Sequence, residues 1–283
     1  MKHLGYESCL ADPDLWTRLA VNNDGVEYYE YMLLYVDDCL CVLEYPREAL
    51  AQMVNKVKLP NGVEAYAVST SQNVQEAVKN VEKLLAKEGK SLIKTANAPL
   101  TSDYRPECDV SPELAPEEAT YYQSLIGVVR WMVKMGRIDI ATEVSMISSF
   151  VAMPREGHLQ QVYHIFAYLK KHHNARLVFD PPYPDLEEND FERKDRTSMY
   201  DDASEDVPSN VPKPLGNEFV IRAYVDADHA GDKQVTRRSR TGFLVYLNSS
   251  PIQWFTKKQT SVESSSFGSE FVAMKHCCEY LRA

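Results

Sequence analysis

FVIRAYVDADHAGD at 219–232, TGFLVYLN at 241–248 and PIQWFTKK at 251–258 are the stretches whose reading decides the fold. Each contains a short apolar, β-prone run bounded by turn-forming or charged residues. The spacing predicts strands over 219–227, 241–248 and 251–258. From Ser265 to Leu281 the period changes to that of a helix, with Phe267, Phe271, Met274 and Cys278 on one face. The order is therefore βββα. The bases Lys233, Arg237, Arg238, Arg240, Lys257 and Lys258 fall near its turns.

Upstream, residues 181–216 are rich in Pro, Asp, Glu and Ser and poor in apolar side chains. Such a composition buries too little surface to offset chain entropy, so a linker is expected. Between Tyr183 and Asn210 ten acids face three bases, a local charge of −7 out of a total of −10. The other residues together carry only −3, so the overall sign does not exclude a polyanionic partner. Before the linker come three amphipathic helical patterns. Their apolar stripes are Tyr122, Leu125, Ile126, Val129, Met132 and Val133; Ile140, Val144, Ile147 and Val151; and Leu159, Val162, Tyr163, Phe166 and Leu169. A small helical bundle follows. Lys134, Arg137, Lys170 and Lys171 fall in this region. They read either as a solvated helix surface or as a face that follows a phosphate backbone. Prolines at 99, 106, 112 and 116 mark an irregular connector, and 72–87 has helical spacing. Residues 28–44, YYEYMLLYVDDCLCVLE, are two apolar runs flanking Asp37-Asp38, a hairpin with an acidic tip.

The 283 residues suffice for two modest domains. No apolar run approaches the roughly 18 residues of a membrane span, and charges and Pro13 interrupt any signal-like start. An intracellular setting, cytoplasmic or nuclear, with reduced thiols is expected. The six cysteines form no CxxC pair and have no His at zinc-ligand spacing, so they read as plain thiols.

Two acidic positions could carry chemistry. Asp37 and Asp38, held between apolar strands, could present oxygens to a hard cation. Asp226 and Asp228 are two apart, so a strand aims both at one face. A calcium loop fails there, because Ala230 and Arg237 occupy positions that need oxygen ligands; a plain strand-ending acid cluster remains the alternative. His172-His173 read as a helix end, Ser264-Ser265-Ser266 as a helix cap, and Trp131 and Trp254 as core.

YMLLYVDDCL and the preceding ADPDLW resemble the YVDD region of copia-type reverse transcriptases. YYQSLIGVVRWMV, RIDIATEVSMIS and FAYLKKH resemble the helical region that follows, with Ile138 where a proline is usual. AYVDADHAGD, SRTGFLVYL, PIQWFTKKQ and SEFVAMK resemble the copia-type ribonuclease H. The resemblance covers almost the whole chain, with the motifs in the family's order. It implies an α+β fold: a partial palm hairpin and following helix over 1–95, a helical thumb or connection region over 96–180, the acidic linker over 181–216, and an incomplete ribonuclease H-like βββα unit over 217–283.

By the same resemblance Asp37, Asp38, Asp226 and Glu270 are the catalytic acids. Asp37, Asp226 and Glu270 would ligate Mg²⁺ (or Mn²⁺), Asp226 and Glu270 facing one another and Asp228 assisting. Lys134, Arg137, Lys170, Lys171, Arg237, Arg238, Lys257 and Lys258 are the candidate contacts to a primer–template or RNA–DNA hybrid. Other polyprotein segments are further partners, and a membrane is not. The departures are His229 in place of a common tryptophan, and Phe267 and Gly268 where a threonine and an extra acid are frequent. Against the family pattern, an early palm acid, part of the palm edge between Tyr45 and Gly62, and a strand carrying a third ribonuclease H acid are missing. The expectation is a fragment of a Pol polyprotein, inactive alone and with the first ribonuclease H strand left as an exposed edge. A non-catalytic nucleic-acid-binding module and a degenerate reading frame are the alternatives.

Overall fold

The computed structural model describes residues 7–8, 15–21, 27–35, 38–42, 54–180, 182, 184, 219–231 and 235–282. In chain order the elements are β1 (Glu7–Ser8), β2 (Leu15–Val21), β3 (Glu27–Tyr35), β4 (Asp38–Val42), β5 (Val54–Lys58), β6 (Glu64–Ser69), α1 (Ser71–Lys87), α2 (Pro116–Lys134), α3 (Ala141–Ser148), α4 (Glu156–Lys171), β7 (Arg176–Phe179), β8 (Ile221–Asp228), β9 (Arg240–Leu247), β10 (Ser250–Lys258) and α5 (Ser266–Arg282). The architecture is mixed α and β. Its sheets run β1-β2-β3-β4, β5-β6-β7 and β10-β9-β8, with antiparallel pairing throughout.

The hairpin expected over 28–44 is present as β3 and β4, which pair antiparallel with Tyr35 opposite Asp38. Asp37 lies outside the described residues, as does most of the acidic stretch over 181–216.

The main core is helical. Val74, Val78, Val81 and Leu85 of α1 meet Tyr122, Leu125, Ile126, Val129 and Met132 of α2. Ile140, Val144 and Ile147 join them, with Leu159, Val162, Phe166 and Leu169 of α4. These are the stripes that helical spacing predicts, because an i, i+3, i+4 pattern puts every apolar residue on one side. Pro116 opens α2 with its φ already helical, and the Glu118 carboxylate accepts the N–H of Ala115 at 3.3 Å. Inside the core the Tyr122 hydroxyl donates to the Ile147 carbonyl at 2.9 Å, so its burial leaves no polar atom stranded.

A three-stranded sheet adjoins this bundle that hydrophobic spacing does not announce. β5 (VNKVK) carries two lysines, and in β6 Ala65 and Ala67 are buried while Tyr66 is exposed. β7 returns after α4 to pair with β6, Ser69 opposite Arg176 and Tyr66 opposite Phe179. The signal that finds β5 and β6 is Asn61-Gly62. Gly62 sits at φ +84 in the turn and donates to the Leu59 carbonyl at 2.9 Å.

The βββα unit has the expected elements. β8, β9 and β10 form a meander and α5 lies across it. Ser265 caps α5 as expected, its Oγ accepting the Gly268 N–H at 3.1 Å. The buried face of α5 differs from the expected one. Ser269, Ala273 and Cys277 are buried, while Phe267, Phe271 and Met274 are 80%, 55% and 51% exposed. Small residues let the helix sit close to the sheet, and the larger ones lie along the side of β8 that has no neighbouring strand among the described residues.

Hydrogen bonds join bundle and βββα unit. The Trp254 indole N–H donates to the Val133 carbonyl at 3.0 Å, Ser145 Oγ donates to the Thr256 carbonyl at 3.0 Å, and an Arg240 guanidinium nitrogen donates to Ser145 Oγ at 2.7 Å. Trp254 therefore has a structural task, although it is half-buried at a groove rather than part of the expected buried core.

Candidate functional site

A strand turns successive side chains to opposite faces, so β8 divides its own candidates. Tyr224, Asp226 and Asp228 share the face towards α3. There Asp228 stands opposite Arg240, which bonds to α3, and Tyr224 opposite Leu244. Ala223, Val225 and Ala227 share the face towards α5, where Val225 packs against Phe243, Val245 and Cys277.

Asp226 and Glu270 line different grooves. Asp226 borders one with Ile138, Thr142, Tyr224 and Trp254. Glu270 borders the other with Ala223, Val225, Phe271 and Met274. The two grooves share Val225, and neither holds both acids of the pair that the resemblance implies. Among the described residues no three His, Cys, Asp or Glu side chains gather where a metal ion could sit. A divalent ion of the Mg²⁺ class needs several oxygens converging on one point, and this donor set does not supply them.

The cationic candidates divide too. Arg137 is 1% exposed and forks onto Asp139, its Nε and Nη2 donating to the two carboxylate oxygens at 2.8 and 2.7 Å. It cannot reach a phosphate chain, which corrects the expectation for this residue. The sequence placed it just after a helix among bases but gave no sign of its burial. Lys170 pairs with Glu82 at 2.7 Å and Lys171 donates to the Asn97 side chain, so both tie α4 to neighbouring segments. Lys134 ends α2. Arg237, Arg238 and Lys257 are exposed, Arg237 at φ +54 in the loop before β9.

Arg238 and Lys258 meet at one place, a groove of about 210 Å³ between α3 and the ends of β8, β9 and β10. Arg105 and Arg240 line it as well, with Thr142, Ser149 and Ser239 and the acids Glu107 and Asp228. Several local structures hold this arrangement. Ser239 is fully buried, accepts the Ala230 N–H at 3.1 Å, and offers its carbonyl to the Gln259 N–H at 2.8 Å. Arg240 is anchored by Ser145. Burial lowers its pKa, and the charges of Asp228, Glu107 and Glu143 oppose that shift. Arg105 precedes a 3₁₀ turn, Pro106–Cys108. The buried His158 fixes that turn: its Nδ1 accepts the Arg155 N–H at 3.0 Å, which leaves Nε2 to donate to the Pro106 carbonyl at 2.9 Å. Sequence reading missed Arg105 as a candidate, because its proximity to Arg238 and Lys258 is created only by the fold. Four cations against two acids make the groove locally positive, in a chain whose total charge is −10.

His172 and His173 stand half-buried at and just after the end of α4. His173 Nδ1 bonds Ser71 and Gln75, and the His172 ring lies 4.6 Å from that of Tyr168. No helix of the described residues is long and apolar enough to cross a membrane.

No family model and no solved structure matches the chain. Curated proteins do. The retrovirus-related Pol polyprotein from transposon RE1 of Arabidopsis thaliana is 27% identical over 252 residues, 85% of this chain and 14% of that protein. The corresponding polyprotein from transposon TNT 1-94 of Nicotiana tabacum is 23% identical over 294 aligned positions, 96% of this chain and 19% of its own length. Secreted RxLR effector protein 161 of Plasmopara viticola is 26% identical over 158 residues, 56% of this chain and 87% of its own. The chain spans less than a fifth of the Pol polyproteins it matches. Over most of its length this protein thus resembles one stretch of the retrovirus-related Pol polyproteins of transposons.

Proposed function

We propose that the chain is a segment of a copia-type retrotransposon Pol polyprotein, from the end of its RNA-directed DNA polymerase into its ribonuclease H. As it stands, this segment holds a nucleic-acid backbone without cutting or extending it. The observation that carries the binding part is the convergence of Arg105, Arg238, Arg240 and Lys258 on one groove from three separate parts of the sequence. Guanidinium and ammonium groups arranged around a groove suit successive phosphates, and hydroxyls such as Ser149 and Thr142 add neutral donors. That neither groove holds both Asp226 and Glu270 supports the absence of turnover, since phosphoryl transfer through metal ions needs converging carboxylates.

Titration of an RNA–DNA hybrid against salt tests the reading. Each phosphate contact contributes roughly 0.9 to the slope of log K against log salt for a B-form duplex. Arg238→Gln and Lys258→Gln are each expected to flatten the slope by about one contact. Lys170→Gln, whose ammonium is engaged by Glu82, is expected to leave it unchanged. Flat titrations at low salt, or an equal loss in all three variants, would remove the binding function. Divalent-ion-dependent cleavage or primer extension by the chain, abolished by Glu270→Gln or Asp37→Asn, would overturn the non-catalytic part.

A further inference from the structure

His158, buried in the first turn of α4, lies behind the wall of the positive groove. Two parts of that wall rest on it. Arg105, Pro106 and Glu107 line the groove at the 3₁₀ turn, and the Pro106 carbonyl accepts the His158 Nε2 proton at 2.9 Å. Phe150 lines it from just beyond α3, its ring 4.4 Å from the imidazole and tilted by 33°.

Both ring nitrogens are committed. Nδ1 accepts the Arg155 N–H at 3.0 Å and must be bare, so Nε2 carries the hydrogen. Only the neutral imidazole meets both partners. A second proton, on Nδ1, would set two donors head to head in a buried site. The charges around the ring pull in both directions. Burial would raise the Asp109 pKa, but bonds from Ser111 and Tyr104 and the nearness of His158 bring it below the ordinary value, so Asp109 draws a proton towards the imidazole. Arg105 on the turn and Arg155 on α4 oppose it, Arg155 being bonded to the Ser111 carbonyl and to Glu113. Glu107 and Cys108 of the turn and Glu156 of α4 are the other ionisable groups on these segments, and Phe150 has none.

We propose, on the footing that the groove binds a nucleic-acid backbone, that His158 is its positioning residue and holds Arg105 ready for a phosphate only while the ring is neutral. A proton at Nδ1 drives the ring off the Arg155 N–H, breaks the Nε2 bond to Pro106, and releases the turn beside Arg105. Acid therefore weakens the grip. That is opposite to the general effect of acid at such a groove, where neutralising Glu107 and Asp228 strengthens the attraction for a polyanion.

Two amide substitutions in the full chain separate the two nitrogens. Asn places its carbonyl oxygen near Nδ1 and still accepts the Arg155 N–H, whereas Gln places its amide nitrogen near Nε2 and still donates to Pro106. Near neutral pH, His158→Gln is expected to bind an RNA–DNA hybrid within about twofold of wild type, although it loses the α4 cap and melts lower. His158→Asn is expected to keep the cap yet raise the dissociation constant about tenfold, and to add nothing further to Arg105→Gln. A purely structural role gives the reverse order, with binding following the melting temperatures. Between neutral pH and about pH 5.5, wild type is expected to lose about tenfold in affinity relative to His158→Gln, which has no imidazole to titrate. Protonation of the groove acids is common to both proteins and cancels in that ratio. A ratio constant with pH, or wild-type binding by His158→Asn, would overturn the positioning role and leave the binding function standing. A wild type that does not bind the hybrid overturns both. Should a variant not fold, the wild-type profile decides, and affinity that rises in acid overturns the role.

Discussion

Asp139→Asn is the sharpest probe of how the helical bundle is held. The Arg137 side chain is 2% exposed and its partner carboxylate 31%. The wild-type pair is a two-pronged fork, and one further guanidinium nitrogen, Nη1, has no partner among the described residues. Asp139 also accepts from Tyr168, whose phenol pKa is raised first by burial and then by that carboxylate. Replacing Asp139 by Asn keeps the shape but leaves a buried cation facing a neutral amide. Breaking a fully buried pair in this way costs about 3–5 kcal/mol. The partial exposure of Asp139 puts the expectation below that range, at about 2–3 kcal/mol, or a fall in melting temperature of about 4–12 °C. Arg137→Met, which removes the charge that needs compensating and the orphaned nitrogen with it, is expected to stay within about 1 kcal/mol of wild type. Urea melts of the three proteins measure the difference. Equal losses in the two variants, or losses below about 1 kcal/mol in both, would show that the fork is not desolvated and that the burial argument fails.

Gly157→Ala should destabilise although alanine is the better helix former. A Cβ there meets the Asp109 carboxylate, which Tyr104 and Ser111 already hold, so about 1–3 kcal/mol of overpacking outweighs the roughly 1 kcal/mol of propensity gained. Glu143 gives a pH test. Burial raises its folded-state pKa, aided by Asp139 and opposed by its own backbone hydrogen bond and Arg240. Its protonated form therefore favours folding, and that contribution is lost as pH rises through the raised pKa. Glu143→Gln is expected to melt later than wild type at neutral pH and to lose that advantage in acid. A constant difference across the pH range would contradict the assignment.

The helices were legible because their stripes are unambiguous: Tyr122, Leu125, Ile126 and Val129 admit one face, and that face is buried. The strands β8, β9 and β10 were legible from alternation and turn residues. α5 misled, because hydrophobicity pointed to Phe267 and Phe271 whereas close packing against a sheet selected Ser269 and Ala273. β5 and β7 hid behind charged and short sequences, and their pairing is a product of tertiary contact. The groove shows the same limit. Arg238 and Lys258 could be named from composition, but their meeting with Arg105 depends on a turn fixed by His158, which no local pattern encodes. Arg137 shows the converse, a base that reads as surface and is interior.

The pairing of β6 with β7 sets a schedule on how the molecule can be made. Ser69 and Arg176 are register partners, so a nascent chain must add about a hundred residues after β6 before that sheet can be finished. At ribosomal speeds this takes roughly 5–20 s, during which β6 waits with one side unpaired. Pausing of synthesis between α1 and β7 would prolong that wait and favour wrong pairings, whereas slow decoding after Phe179 would not.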